Sequence, residues 1–249
     1  MIYRLMFIVA FMALANPLKA QQTHFVFGVE DLDYLPHYGY AEGKDYGGFS
    51  RAVFDRFADW AGITISYRPL PIKRLYKEFL FEDELDFKYP DHPQWQSELK
   101  DELRIHYSRS VVSYVDGIMV PPAKLQTSAG TMKTLGVPRG FTPTGYLQQI
   151  RDGGLVAVEQ PNLNALLKMV MTRRVDAALI NVDVARHRLL NDLDNPGGLV
   201  FDPSRPHFKS SYFLSTRKHP ELLRKFNQFL QLHQREIQQF KDKFQIHEG

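Results

Sequence analysis

Arg174-Val175-Asp176-Ala177-Ala178-Leu179-Ile180-Asn181-Val182-Asp183 is the stretch whose reading decides the fold. A short apolar run that ends in polar residues reads as a buried strand whose C-terminal end opens onto a site. Just upstream, Leu163, Leu166, Leu167, Val170 and Met171 recur at the spacing of a helix with one buried face. The unit is therefore helix, strand, polar tip.

The first half of the chain repeats this construction. Ile72, Leu75, Tyr76, Phe79 and Leu80 keep the same helical spacing, and an acidic turn follows at Glu82, Asp83 and Glu84. Leu85-Asp86-Phe87 then begins a strand that ends in Lys88, Tyr89, Pro90 and Asp91. Two αβ units of one design predict two similar lobes, each a mainly parallel sheet flanked by helices. Ligands of open α/β sheets sit outside the carboxyl ends of the strands, so facing lobes enclose a cleft.

Around these units, Phe25 to Val29 reads as a strand, and Glu30 to Tyr40 as a loop rich in aromatics. Val53, Phe54, Phe57, Ala58 and Ala61 form a helical stripe ended by Gly62, and Ile63 to Tyr67 alternates as a strand. The order β-α-β-α-β predicts right-handed parallel crossovers. Val111 to Val120 runs extended to Pro121-Pro122, where a polar connector begins. The second lobe starts with a strand at Thr134 to Val137, then a helix through Tyr146, Leu147 and Ile150. Phe208 to Ser215 returns as extended chain, and Leu222 to Phe244 keeps helical spacing as one long terminal helix on the first lobe. The expected limits are a signal peptide over 1–20, lobe 1 over 21–120, lobe 2 over 121–206, and a returning strand and helix over 207–249.

The signal reading rests on Arg4, the apolar run Leu5 to Ala15, and Leu18-Lys19-Ala20 before Gln21. That run is shorter than the ~20 apolar residues a membrane-spanning helix needs. Removing Arg4 and Lys19 leaves 29 of 31 basic residues against 28 acidic ones, so the formal charge falls from +3 to +1. Such a balance argues against nucleic acid as a partner. The chain has no cysteine, so it has neither a disulfide nor a lipidated cysteine. A monomer in the periplasm is the expected state.

No nucleophile elbow, phosphate loop or zinc-binding helix motif occurs, and the nine histidines are scattered, so no cofactor and no metal is expected. Asp86 and Asp176 occupy matched positions at strand starts and read as turn or cap residues rather than paired acids. In Arg139-Gly140-Phe141-Thr142, a glycine after a strand allows close approach of a ligand, and a helix start there offers N–H groups to an anion or carbonyl; the alternative is an ordinary strand-to-helix turn with Thr142 or Thr144 as N-cap. Tyr34, Tyr38, Tyr89 and Trp95 supply aromatic faces suited to an apolar, cationic or sugar-like ligand.

These residues together resemble the family 3 periplasmic solute-binding proteins, the amino-acid-binding type with the bilobed type II fold. The resemblance spans nearly the whole mature chain. It is carried by Gly28-Val29 through Tyr34-Leu35-Pro36, Gly48-Phe49, Leu85-Asp86-Phe87, Gly136-Val137-Pro138-Arg139-Gly140-Phe141-Thr142, Arg174-Val175-Asp176-Ala177 and His219-Pro220-Glu221-Leu222. It implies a non-catalytic protein that closes two lobes over a small ligand and delivers it to an inner-membrane permease, as in ABC transporters, or to a receptor. It also implies that Tyr34 covers the ligand, that Thr142 is a helix-start hydroxyl beside it, and that the hinge strands cross near Met119 and Phe208 to Tyr212.

Two departures from that pattern bear on the ligand. The family's carboxylate-gripping arginine is missing from Pro93-Gln94-Trp95-Gln96-Ser97-Glu98, and Asn181 stands where an aspartate for the α-ammonium is expected, with Asp183 close by. Lys88 or Arg139 replaces the arginine only in a different geometry. The expected ligand is a small polar or aromatic-bearing solute other than a standard α-amino acid. The alternatives are a dehydratase-like enzyme on this fold, with Glu30, Asp31 or Asp91 as general acid, and a sensing module for a membrane receptor.

Overall fold

A computed structural model describes residues 23–40, 45–126, 132–143 and 145–247. The signal-peptide expectation over 1–20, Thr144 and most of the polar connector lie outside the described residues.

In chain order the first part comprises β1 (His24–Glu30), β2 (Gly39–Tyr40), β3 (Tyr46–Gly47), α1 (Phe49–Ala61), β4 (Thr64–Leu70), α2 (Ile72–Lys77) and β5 (Phe87–Asp91). A π-helical turn, Glu78–Glu82, extends α2. Then come α3 (Ser97–Lys100), β6 (His106–Tyr107) and β7 (Val112–Val120). The second part comprises β8 (Thr134–Pro138), α4 (Leu147–Arg151), β9 (Val156–Gln160), α5 (Leu163–Met171), β10 (Ala177–Asn181), α6 (Val182–Asn191) and β11 (Val200–Phe201). The chain closes with β12 (Phe208–Thr216), α7 (Pro220–Leu232) and α8 (Gln234–Phe244).

One sheet runs through the molecule in the order β4-β1-β5-β12-β7-β10-β8-β9. Its two ends are parallel, β4-β1-β5 and β10-β8-β9, each with the first strand of its unit in the middle. Between them β12 and β7 run antiparallel to their neighbours, pairing Phe208 with Asp116 through Tyr212 with Val112. These two strands are the crossing between the lobes. Met119 lies beyond it, paired with Ala178 inside the second lobe's sheet, so the first crossing point moves back to Val112–Asp116.

The two units match in detail. Asp86 Oδ2 accepts the Val26 N–H at 2.8 Å, while Asp176 Oδ2 accepts those of Lys133 and Thr134 at 2.9 Å. Each carboxylate thus ties the start of its unit's last strand to the start of its first. Burial works against their charge, but these bonds, with His219 at Asp86, hold both carboxyls below the usual aspartate value. Gly28 and Gly136 are equivalent too. A Cβ at either would collide with leucine side chains, Leu85 ahead of β5 and Leu75 of α2 in one unit and Leu166 of α5 in the other.

The stripe of α1 packs on the last helices, with Phe57 against Phe226 and Phe229 at ring separations of 5.0 and 5.6 Å. The expected single terminal helix is two, broken at His233. The apolar spacing persists across the break because Ile237 and Phe240 still face the first lobe's core. Among the described residues no helix is long and apolar enough to cross a membrane.

Candidate functional site

The carboxyl ends of β1, β5, β8 and β10 converge on the seam beside the crossing strands, and their loops bring together residues distant in sequence. From the β1 loop, Tyr34 and Tyr38 are buried with rings 5.3 Å apart. Tyr38 stands 6.2 Å from Tyr89 at the end of β5, and Tyr34 stands 5.7 Å from Phe141 in the second lobe. Trp95 packs at 5.9 Å on Tyr212, which itself stacks on Tyr114 at 4.2 Å. Of the expected aromatics, Tyr34, Tyr38, Tyr89 and Trp95 form one cluster with Phe141. Its centre is Tyr212, which the sequence reading placed only as a hinge residue.

The polar candidates have varied fates. Lys88 is fully buried, donates to Pro90 O at 2.6 Å, approaches Asp91 Oδ1 at 3.3 Å and lies 4.2 Å from the Tyr76 ring centroid. Asp91 also accepts from Lys100 at 2.8 Å and from Ser215 at 2.7 Å. Burial alone raises the Asp91 carboxyl, but Lys88 and Lys100 hold it below its usual value. This network occupies both groups within the first lobe. Glu30 is buried beside it, accepts from the Tyr38 hydroxyl at 2.7 Å, and is raised by burial against the opposing pull of Lys88. Asp31 is exposed.

In the second lobe Arg139, Gly140 and Thr142 stand exposed on the rim. The helix start expected at Thr142 does not form there, because α4 begins only at Leu147, after Pro143 and Gly145 have broken the chain direction. Thr142 therefore has no helix dipole behind it. Asn181 caps α6, its Oδ1 accepting from Asp183 N at 3.0 Å and Val184 N at 3.1 Å. Asp183 is held by the C-terminal tail, accepting from His247 N at 2.9 Å and contacting His247 Nδ1 at 3.1 Å. His37 reaches to 3.9 Å from the same carboxylate. Burial raises Asp183 despite these partners.

Three features escaped the sequence reading. Arg188 of α6 crosses the seam to Asp33, 2.6 Å to its carbonyl and 2.7 Å to its carboxylate, and holds Asp192 at 2.8 Å. His37 is buried against Tyr212 at 5.5 Å. Asp116, opposite Phe208 at the crossing, lines a void of ≈ 30 Å³ with Val137, Phe141, Thr142, Pro143, Leu179, Ile180 and Phe208. Its Oδ1 is sealed from solvent without a hydrogen-bond partner, as are Tyr89 Oη and Asn181 Nδ2. The Tyr34 hydroxyl makes no well-formed bond either, though it faces the Asn181 main chain. Burial alone pushes Asp116 up to about 7. Among the described residues no group of acidic and histidine side chains forms a metal site.

Parallel ends, a two-strand crossing and a site on the seam together define a known architecture. The fold is that of the two-lobed periplasmic binding proteins. It is shared with an ancestral arginine-binding protein bound to arginine, at 18% identity, TM-score 0.69, and coverage of 90% of this chain and 98% of that one. A histidine kinase sensor domain with similarity to periplasmic binding proteins matches at 16% identity, TM-score 0.71, and coverage of 90% and 96%. An ancestral amino acid-binding protein, a precursor of cyclohexadienyl dehydratase, matches at 17% identity, TM-score 0.69, and coverage of 89% and 95%. No family model and no curated protein sequence matches the chain. The expected resemblance thus holds at the level of the fold.

Proposed function

We propose that this protein is a non-catalytic solute-binding protein that closes its lobes over a small polar or aromatic-bearing ligand and presents it to a membrane permease or receptor. In this reading it is exported by a cleaved signal peptide and acts in the periplasm as a monomer. The limits expected from the sequence, 21–120 with 207–249 and 121–206, shift by a few residues in this reading, because Gly117 to Val120 already pair with β10 and β11 of the second lobe. The observation that carries the proposal is the seam itself. Two antiparallel strands join the halves, and the cross-seam contacts, Arg188 of α6 on Asp33 and Tyr34 on Phe141, link the β1 loop to α6 and to the β8 loop of the other half. Such contacts break and reform when lobes rotate about a pair of crossing strands.

The wall of the void at the crossing is mainly aromatic and aliphatic, with the Thr142 hydroxyl, a single carboxylate and no basic side chain, and Lys88 is occupied elsewhere. That chemistry disfavours a free carboxylate on the ligand and supports something other than a standard α-amino acid. Of the acids expected for a dehydratase, Glu30 and Asp91 are engaged within the first lobe.

A thermal-shift screen of the purified protein against amines, amino acids, sugars, aromatic acids and nucleosides tests the proposal. A ligand at about a hundred times its Kd adds about 2.7 kcal/mol, roughly 5–10 °C for a chain of this size. Saturable stabilisation without turnover is the expected result. A flat screen, with small-angle scattering unchanged by every solute, overturns it.

A further inference from the structure

Asp116 is an unusual residue for its place. It is the one charged side chain in β7, a strand otherwise made of apolar residues, serine, tyrosine and glycine, and it sits where the two lobes join. One of its carboxylate oxygens, Oδ1, is sealed without a donor, which is costly, while the residue as a whole is only half-buried; no nearby basic side chain acts on it, and burial is the cause of its raised titration. Folds retain such a group where something outside the chain completes it.

The surroundings define what that something is. The void beside Asp116 has room for about two waters and opens toward the rim, so it admits a small head-group whose chain leaves toward solvent. Phe141 and Phe208 line it with Val137, Leu179 and Ile180, walls suited to carbon chains. The hydroxyls of Tyr34, Tyr114 and Tyr212 all lie close enough to feel the Asp116 charge. A negative group among aromatic rings attracts a positive charge twice over, through ion pairing and through the ring quadrupoles.

We infer that this cavity takes the ammonium head of a small primary amine, with Asp116 as its counter-ion and the rings of Phe141 and Phe208 beside it. The inference rests on the ligand-binding reading above and narrows it to a class of ligand. The alkyl part lies along Val137, Leu179 and Phe141 and leaves by the rim at Thr142, which is exposed.

The test is titration of the purified protein with methylammonium, butylammonium and butane-1,4-diammonium chlorides, against sodium and tetramethylammonium chlorides at equal ionic strength. Melting temperature and calorimetric heat are both read. A saturable response to the primary amines, absent with sodium and with the bulkier tetramethylammonium, is expected. Asp116→Asn, with its fold checked by circular dichroism, should weaken amine binding about thirtyfold or more. Val137→Leu keeps the carboxylate but fills the void, and should weaken binding likewise. Equal amine affinity in wild type and both variants overturns the inference. So does a wild type that responds to neutral or anionic solutes but to no amine, an outcome that leaves the binding function standing. A protein that responds to no solute overturns both.

Discussion

Replacing Asp116 by asparagine should flatten the dependence of stability on pH. In the folded chain, burial raises this carboxyl to about 7. In the unfolded chain it titrates near ~3.9. Between those values the folded state keeps a proton that the unfolded state has released, so stability falls as pH rises and the full cost is reached above the folded value. From about pH 5 to about pH 8 the linkage integral amounts to about 2.5 kcal/mol. Asparagine does not titrate. It carries instead a constant cost of about 1–3 kcal/mol for a buried amide short of partners. The neighbouring phenols of Tyr34, Tyr114 and Tyr212 are pushed upward and stay neutral over the same interval. At about 2–4 °C per kcal/mol, the gap in Tm between wild type and variant should change by roughly 5–10 °C across the interval. Circular-dichroism melts of both proteins in ligand-free buffers of equal ionic strength measure it. Parallel curves of Tm against pH refute the argument, because they mean that the Asp116 carboxyl is solvated.

Arg188→Met removes the cation that crosses the seam to Asp33; since Asp33 is half exposed and rehydrates, the loss should be about 2 kcal/mol, with a larger radius of gyration by small-angle scattering. Unchanged scattering would mean that Arg188 does not hold the lobes together. Asp176→Ala removes acceptors for two main-chain N–H groups and a hydroxyl, and should cost about 1–3 kcal/mol in denaturant melts. Asp86, Asp91 and Asp176 are held below the usual aspartate value, so their stabilisation is present above about pH 4 and lost as pH falls through their folded values. The acid limb of stability should therefore be shallower in Asp86→Ala, after allowing for its lower starting value. In Trp60→Phe the sole remaining tryptophan is Trp95, which packs on Tyr212 in the seam, so ligand should change its emission; a silent Trp95 alongside a clear thermal shift would place the ligand elsewhere.

The repeated αβ design was legible because it is local. Leu85-Asp86-Phe87 and Val175-Asp176-Ala177 announce the same strand start, and the apolar stripes of α1 and α5 carry the helical period. What stayed hidden depends on distance in sequence. Tyr114 and Tyr212 read as ordinary strand residues until β7 and β12 pair and stack them. Arg188 looks like a solvent-facing arginine on α6, because nothing near it reveals that the β1 loop will sit opposite. The helix start at Thr142 failed for a local reason, with Pro143 and Gly145 delaying the turn into α4. Asp116 did leave a signal, a lone charge within an extended apolar run. The engagement of Lys88 could have been read locally, because its partners Pro90 and Asp91 follow it directly.

The place of β12 in the middle of the sheet has a consequence for how the molecule comes into being. The first lobe has most of its strands by Asp91, yet β5 lacks its outer neighbour, and Phe54 and Phe57 lack Phe226 and Phe229, until the last elements exist. On the ribosome the amino-terminal half therefore emerges with an uncovered aromatic face and an unpaired strand edge. It cannot settle while the remainder is being synthesised. Completion of the first lobe should wait for these final elements, and in a nascent chain arrested before Phe208 that lobe should remain protease-sensitive and a substrate for holdase chaperones.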